Sequence, residues 1–371
     1  MYKFPTIVTS FYNIRKKEKN ELNTRTITKY LELASNFILK LPYPLIIYVD
    51  NNDDDIINFI NENRNEYKKI TILRKINIED TKYYKYYERL KKIQTEYKIY
   101  NLDERKDTPL YITLTNNKFF FLESAVKMNP FESSHFIWMD FGINHCAKNC
   151  EKIHEWILQV PDKIKQLCIN PFIENCNYKE FFNNIYHNLA SGVFSGSAEN
   201  IMSYCELFES KTEEIYNQGW YQLEEAVMTI IERENPNLFD LYYGDYNSII
   251  SNYLEPINNI DLIIESILPK LIVNDKVQLA NHILKFMYIY FKNNTESPLI
   301  YRYIEQNISS NYFITDKLLL PEIIYLINLK ILKNDEIMIN VLKNNLNFLN
   351  FYQNKGLILP YEYIITFIRK N

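Results

Sequence analysis

The sequence predicts an α/β protein: a mostly parallel sheet flanked by helices, followed by an all-α C-terminal module. Two features carry this expectation. Across the first 140 residues strand-like and helix-like segments alternate, which is the pattern of a parallel sheet covered on both faces. Beyond Pro256 the pattern becomes nearly all helical. A third feature marks a site: the apolar run Phe136–Met139 ends in Asp140, with Gly142 two residues on. A buried strand thus delivers a carboxylate to a turn, and ligands of open α/β sheets gather at the carboxyl ends of the strands.

Thr6–Tyr12 is β-branched and aromatic, and reads as the first strand. Thr24–Leu41 repeats apolar residues at helical spacing (Ile27, Leu31, Ala34, Ile38), completing a βα unit. Pro44 opens a second strand that ends at Asp50, and Asn51–Asp55 supplies turn and capping residues for a helix over Ile56–Glu66. Ile70–Leu73 is a third strand, residues 78–100 are polar, tyrosine-rich and helical, and Asn116 or Asn117 caps a helix Lys118–Met128 ahead of Pro130. After Asp140 come a helix Cys150–Leu158, an extended Ala190–Phe194, a helix Ala198–Phe208 and, introduced by Trp220, a helix Tyr221–Arg233. Further helices follow over Ile260–Ile272, Val277–Phe291, Lys317–Leu332 and Glu336–Leu349. The echo between LLLPEIIYLI and LILPYEYIIT suggests helical hairpins in this part. Two domains are expected, 1–255 and 256–371.

With 371 residues and 47% hydrophobic content the chain can bury a substantial core. A formal net charge of −4, with Lys and Arg scattered, leaves no basic footprint for nucleic acid. Apolar runs such as Leu45–Val49 and Ile263–Val273 stop short of the roughly 20 residues that span a bilayer, so no transmembrane segment is expected. The N-terminus places its basic residues after its apolar part, the reverse of a secretory signal, so the expected location is cytoplasmic. Five cysteines leave an odd one over, and reduced thiols are expected.

Four constellations carry candidate chemistry. Asp140 offers a hard oxygen ligand for a divalent cation on a diphosphate, although strand-end aspartates also serve turns. Asp140-Phe141-Gly142 spells the metal-binding triplet of protein kinases, yet no glycine-rich loop, strand lysine or catalytic-loop triad accompanies it. His145, Cys146, Cys150 and His154 include three positions on one helical face that suit zinc, but small thiols are more often buried as apolar residues. Gly192 and Gly196 in ASGVFSGSAENI precede a helix, in a chain with only six glycines, and Glu224 and Glu225 open another. The two acids suit the helix macrodipole, or one of them takes a proton from a hydroxyl.

In this order the segments TIVTSFYNIRK, Arg25 with Tyr30, PLIIYVD, KFFFLESAVKMNPF, FIWMDFGI, SGVFSGSAENI and LEEAVMTIIERENPNLFDLYYGDYNSI resemble the HtrL/YibB family. That bacterial and viral group includes WlaTC-like sugar-locus proteins. The resemblance spans roughly residues 5–253 and implies a GT-A-like, Rossmann-like glycosyltransferase that uses a nucleotide-sugar, commonly with Mn²⁺ or Mg²⁺, and a glycan or other hydroxyl acceptor. It implies that Thr9, Ser10, Phe11 and Asp50 lie near the nucleotide and that Arg25 and Lys118 face the pyrophosphate. Trp138, Gly142, Gly192 and Gly196 would shape the donor pocket, Asp140 and Asp245 would ligate metal, and Glu225 or Glu224 would be the base. Gly142 stands at the third place of a full Asp-x-Asp. Were the gene viral, the location would be the host cytoplasm. Two other readings stay open: a degenerate enzyme acting as a scaffold through its C-terminal helices, which also offer a surface for self-association, and a nucleotidyl- or phosphotransferase on a similar sheet.

Overall fold

The computed structural model describes residues 4–18, 25–169, 178–254 and 335–345, with nine scattered positions between 291 and 330. The chain divides into two compact units, Met1–Pro256 and Ile257–Asn371. In the first, seven strands form one sheet: β1 (Thr6–Phe11), β2 (Leu45–Val49), β3 (Thr71–Lys75), β4 (His135–Met139), β5 (Ile164–Cys168), β6 (Leu189–Ser197) and β7 (Phe239–Tyr243). Their order is β3-β2-β1-β4-β6-β5-β7. All neighbours pair in parallel except at β6, which runs antiparallel to both β4 and β5. This is the mostly parallel sheet flanked by helices that the sequence leads one to expect.

The helices are α1 (Ile14–Glu18), α2 (Ile27–Asn36), α3 (Asp54–Asn63), α4 (Tyr87–Glu96), α5 (Pro109–Met128), α6 (Ile153–Trp156), α7 (Tyr178–Phe182), α8 (Ala198–Asn217) and α9 (Glu224–Glu234). One core layer packs α4, α5, α8 and α9, through Leu90, Phe119, Phe208 and Met228, onto Val8, Ile46, Trp138 and Phe194. The other packs α2, α3 and α6, through Ala34, Ile60 and Trp156, onto Ile7, Ile47, Met139 and Val193. Because both faces are covered, β2 is buried at every position, which is why it reads as an unbroken apolar run.

Several elements differ from expectation. Helix α5 begins at Pro109, nine residues before the predicted start. Thr108 caps it, accepting from Tyr111 N at 3.2 Å, and Pro109 sits where a missing N–H is harmless. Asn116 and Asn117 are therefore interior, with their amides on Tyr216 Oη (3.0 Å) and Thr113 O (2.8 Å). Residues 78–86 form two short 3₁₀ turns rather than the start of a helix. Strands β5 and β7 were not expected, because polar residues interrupt them. Their partners explain how they are buried: Lys165 Nζ meets Asp240 at 2.8 Å, and Gln166 donates to Ala190 O at 3.0 Å and accepts from Tyr204 Oη at 3.1 Å.

In the second unit α10 (Glu336–Lys343) starts at Asp335, whose carboxylate accepts from Met338 N at 3.1 Å. The helices expected over 260–272, 277–291 and 317–332 lie almost wholly outside the described residues, as does the surface proposed for self-association. No helix among the described residues is long and apolar enough to cross a membrane.

The chain builds β1, β2 and β3 outward on one side and then returns to lay β4 on the other side of β1. The β1/β4 junction is thus the switch point where open α/β sheets bind ligands. Strand β6 runs backwards and so brings its beginning, not its end, to the same edge.

Candidate active site

Lys118 lies midway along α5 and is buried, a position that lysine tolerates only with compensating charge. Its ammonium is 3.0 Å from Asp140 Oδ1 and 3.0 Å from Glu224 Oε1. It also donates to Ser191 Oγ at 2.9 Å and to Ser191 O at 3.3 Å. Asp140 is placed by the end of β4, where its N–H bonds Gly192 O at 2.8 Å, and Trp138 Nε1 donates to its Oδ1 at 2.8 Å. The Asp140 side chain keeps 37% of its surface exposed, so the cluster opens to solvent at this carboxylate. Burial alone would lower the Lys118 pKa, but Asp140 and Glu224 more than offset it and hold the group as an ammonium. Burial likewise pushes Glu224 up, yet Lys118 and the Ser191 and Thr115 hydroxyls hold its carboxyl below the ordinary glutamate range.

Glu224 and Glu225 are the first two residues of α9, where the macrodipole favours acids, but both are buried and turned to the sheet. Ser191 Oγ donates to Glu224 Oε1 at 2.7 Å, and Ser191 N donates to Glu225 Oε1 at 3.2 Å. Glu225 Oε2 meets His187 Nδ1 at 2.7 Å, and Tyr246 Oη reaches both Glu225 oxygens at 3.1 Å. This contact to Glu225 raises the His187 pKa above the usual histidine value. Burial and Glu225 keep Tyr246 protonated. One ammonium and one imidazole thus face three carboxylates.

The other expected residues divide clearly. Arg25 stacks over the Tyr30 ring at 5.2 Å, and its charge acts on His145 and Cys146, both within electrostatic reach of Asp140. Phe11 stacks on Phe141 at 4.8 Å and tilts against Tyr30 at 5.6 Å, forming an aromatic wall beside the Asp140 turn. Gly142 lets the turn pack tightly there, since a Cβ would stand 3.0 Å from the Tyr30 ring. Gly192 borders the site itself, because a Cβ would crowd Ile143 at 2.7 Å and stand 3.7 Å from Asp140 Oδ2. Gly196 pairs with Phe136 at the opposite end of β4, about 13 Å away along the strand, and packs on Ile164. Ser10 is partly buried at the end of β1. Thr9 is sealed within the sheet. Asp50 closes its own turn by accepting from Asn52 N at 3.1 Å and pairs with Lys17 at 2.8 Å.

Among the described residues no group of three His, Cys, Asp or Glu side chains is arranged to hold a metal ion. Asp245 directs Oδ1 to Tyr246 N at 2.7 Å as the cap of its own short turn. Asp140 is the partly exposed hard oxygen donor of the cluster, with Lys118 within 3.0 Å of its Oδ1. The alternative zinc set is dispersed: His145 faces Gly142 O, His154 faces Tyr43 Oη, and burial pushes the Cys146 and Cys150 thiols up to about 11. Sequence reasoning missed Ser191, His187 and Tyr246. Ser191 adjoins the quoted Gly192, and Tyr246 adjoins Asp245, whereas His187 stands in a polar segment with no motif around it.

Residues 4–253 match the family described as "Bacterial protein of unknown function (HtrL_YibB)". No curated protein matches the chain in sequence. Among solved structures the chain is similar to apo mouse xyloside xylosyltransferase 1 (12% identity, 64% of this chain and 84% of that one, TM-score 0.32). It is also similar to a 4-diphosphocytidyl-2C-methyl-D-erythritol synthase from Anaerococcus prevotii DSM 20548 (11%, 70% and 93%, 0.32). A third is the galactosyltransferase LgtC in complex with donor and acceptor sugar analogs (8%, 64% and 73%, 0.32). TM-scores of this size lie below the level of a shared overall fold.

Proposed function

We propose, from the premise that this chain belongs to the HtrL_YibB family, that it is a glycosyltransferase moving a sugar from a nucleotide-sugar to an acceptor hydroxyl. The observation that carries the reading is the Lys118–Asp140–Glu224–Ser191 cluster at the β1/β4 switch point. Burying an ammonium with carboxylates costs desolvation energy that a well-packed apolar core avoids. A binding scaffold built on its C-terminal helices has no use for that expense, whereas transfer from a diphosphate has several.

In this reading the nucleotide-sugar lies across the ends of β1 and β4, with its diphosphate toward Asp140. Asp140 would hold a divalent cation, which would supply positive charge to stabilise a leaving diphosphate. The chain's own part is to position and to balance charge. Lys118 fixes Asp140 and Glu224 without reorganising during the reaction, and Arg25 and Lys106 add cationic reach over the site. Gly192 lets Ile143 pack closely against β6 beside Asp140.

The test is thermal stabilisation of the protein across UDP-, GDP-, ADP-, dTDP- and CMP-sugars, with and without Mn²⁺, together with analysis of the released products. A shift for one donor that Asp140→Ala abolishes, with release of the free nucleotide, is the expected result. Pyrophosphate or transferred phosphate would mark a nucleotidyl- or phosphotransferase instead, and no shift with any donor would remove the reading.

A further inference from the structure

We infer that Trp138 is a positioning residue: its indole N–H holds the Asp140 carboxylate in one orientation, committing Oδ1 to the protein and leaving Oδ2 for the donor. The inference rests on the transferase reading.

The Trp138 side chain is too deep to line a pocket itself, since the residue is 2% exposed. It belongs to the core layer under α5, stacked on Phe121 at 6.5 Å, with the Lys118 ammonium 5.9 Å from its ring centre. A phenyl ring would serve that packing. What tryptophan adds is one rigid donor, and a buried indole N–H needs a partner. Here Nε1 reaches Asp140 Oδ1 at 2.8 Å. Its partner is the most exposed carboxylate of the cluster, at 37% against 6% for Glu224 and 11% for Glu225.

The surroundings of Asp140 show why such a donor is needed. The last torsion of an aspartate is broad, so its backbone does not set the plane of the carboxylate. Lys118 does not set it either. Its ammonium meets Oδ1 at 3.0 Å and Oδ2 at 3.3 Å, and a compact charge that straddles both oxygens accepts many planes. It is also shared with Glu224 and Ser191. The Trp138 N–H, by contrast, addresses one oxygen from a ring that the core holds still. Oδ1 then carries two close contacts, whereas Oδ2, whose contact to Lys118 is longer, keeps acceptor capacity for a ligand.

The tests use the full chain and the donor that wild type turns over in the panel above. Trp138→Phe keeps a ring in the core and removes the N–H. Its kcat is expected to fall about 10–100-fold, with little change in donor KM and with the donor-induced thermal shift retained, because the carboxylate is still present. Trp156→Phe is the matched control: that indole is as deeply buried, stacked on Tyr253 at 3.8 Å, and donates to Ile250 O at 3.0 Å. It should keep the wild-type kcat. In an Asp140→Asn background Trp138→Phe should cost clearly less than in wild type, since the two residues act as one. By NMR, the Trp138 indole N–H resonance, assigned from the Phe variants, should move upfield in Asp140→Ala while that of Trp156 stays in place. Equal costs in the two backgrounds, a Trp138→Phe enzyme no slower than Trp156→Phe, or an indole resonance indifferent to Asp140→Ala overturns the assignment while the transferase reading stands. A wild type silent with every donor overturns both.

Discussion

Lys118 is the residue on which the site's electrostatics turn. Lys118→Met leaves Glu224 buried without its cation and is expected to destabilise the fold by about 3–5 kcal/mol. Adding Glu224→Gln to it should recover part of that loss, as measured by denaturant unfolding of the single and double variants. Asp140→Asn behaves differently, because Lys118 keeps Glu224 and Ser191: the melting temperature should change little while turnover falls by roughly 10² or more. The pH dependence follows from two opposite shifts. Glu224 is depressed when folded, so its contribution is complete above the unfolded value near ~4.3 and is lost as pH falls through the folded one. His187 is raised, so its contribution is complete below ~6.5 and is lost as pH rises through its folded value. Melting temperature should therefore sag on both sides, with Glu224→Gln flattening the acid side and Glu225→Gln the other. Asp140, Glu224, Glu225 and Gly192 were legible in the sequence because each sits at a strand end, a helix start or a rare glycine, whereas Lys118, in the middle of α5, was singled out only through the family resemblance. His187 was not, since a polar stretch gives no hint of the helix start that folds against it.

At the level of elements, Arg64 shows how a buried cation is used purely for structure. It follows α3, is buried, and donates to the carbonyls of Leu39, Leu41 and Tyr43 and to Thr71 Oγ1. It thereby ties the approach to β2 to the first residue of β3. Arg64→Ala should cost about 3 kcal/mol, because three carbonyls lose their donor at once. Arg64→Lys should rescue little, since a single ammonium cannot span a planar fork; chemical denaturation of the three proteins decides the matter. Strands β1, β2 and β4 could be read directly because covered parallel strands are apolar throughout. Strands β5 and β7 escaped because Lys165, Gln166 and Asp240 are satisfied across the sheet, information that no local window holds. The early start of α5 escaped for a similar reason: Asn116 and Asn117 look like caps until Tyr216 and Thr113 are seen to receive their amides.

For the whole molecule, the unit Met1–Pro256 carries its own two-layer core and all the candidate site residues. A fragment of residues 1–256 should therefore unfold in one cooperative transition and keep the donor-induced shift of the full chain; a fragment that melts without cooperativity would show that the second unit is needed for folding. The sheet's central pair has a temporal consequence. Strand β1 meets β4 only by closing the loop from Thr6 to Phe136, and β6 must then arrive from still further along the chain. Such non-local closures are slow. On refolding, helical dichroism should return before the Trp138 indole is buried under α5 and Lys118 reaches Ser191, so the nascent protein passes through a stage that looks folded and has no site.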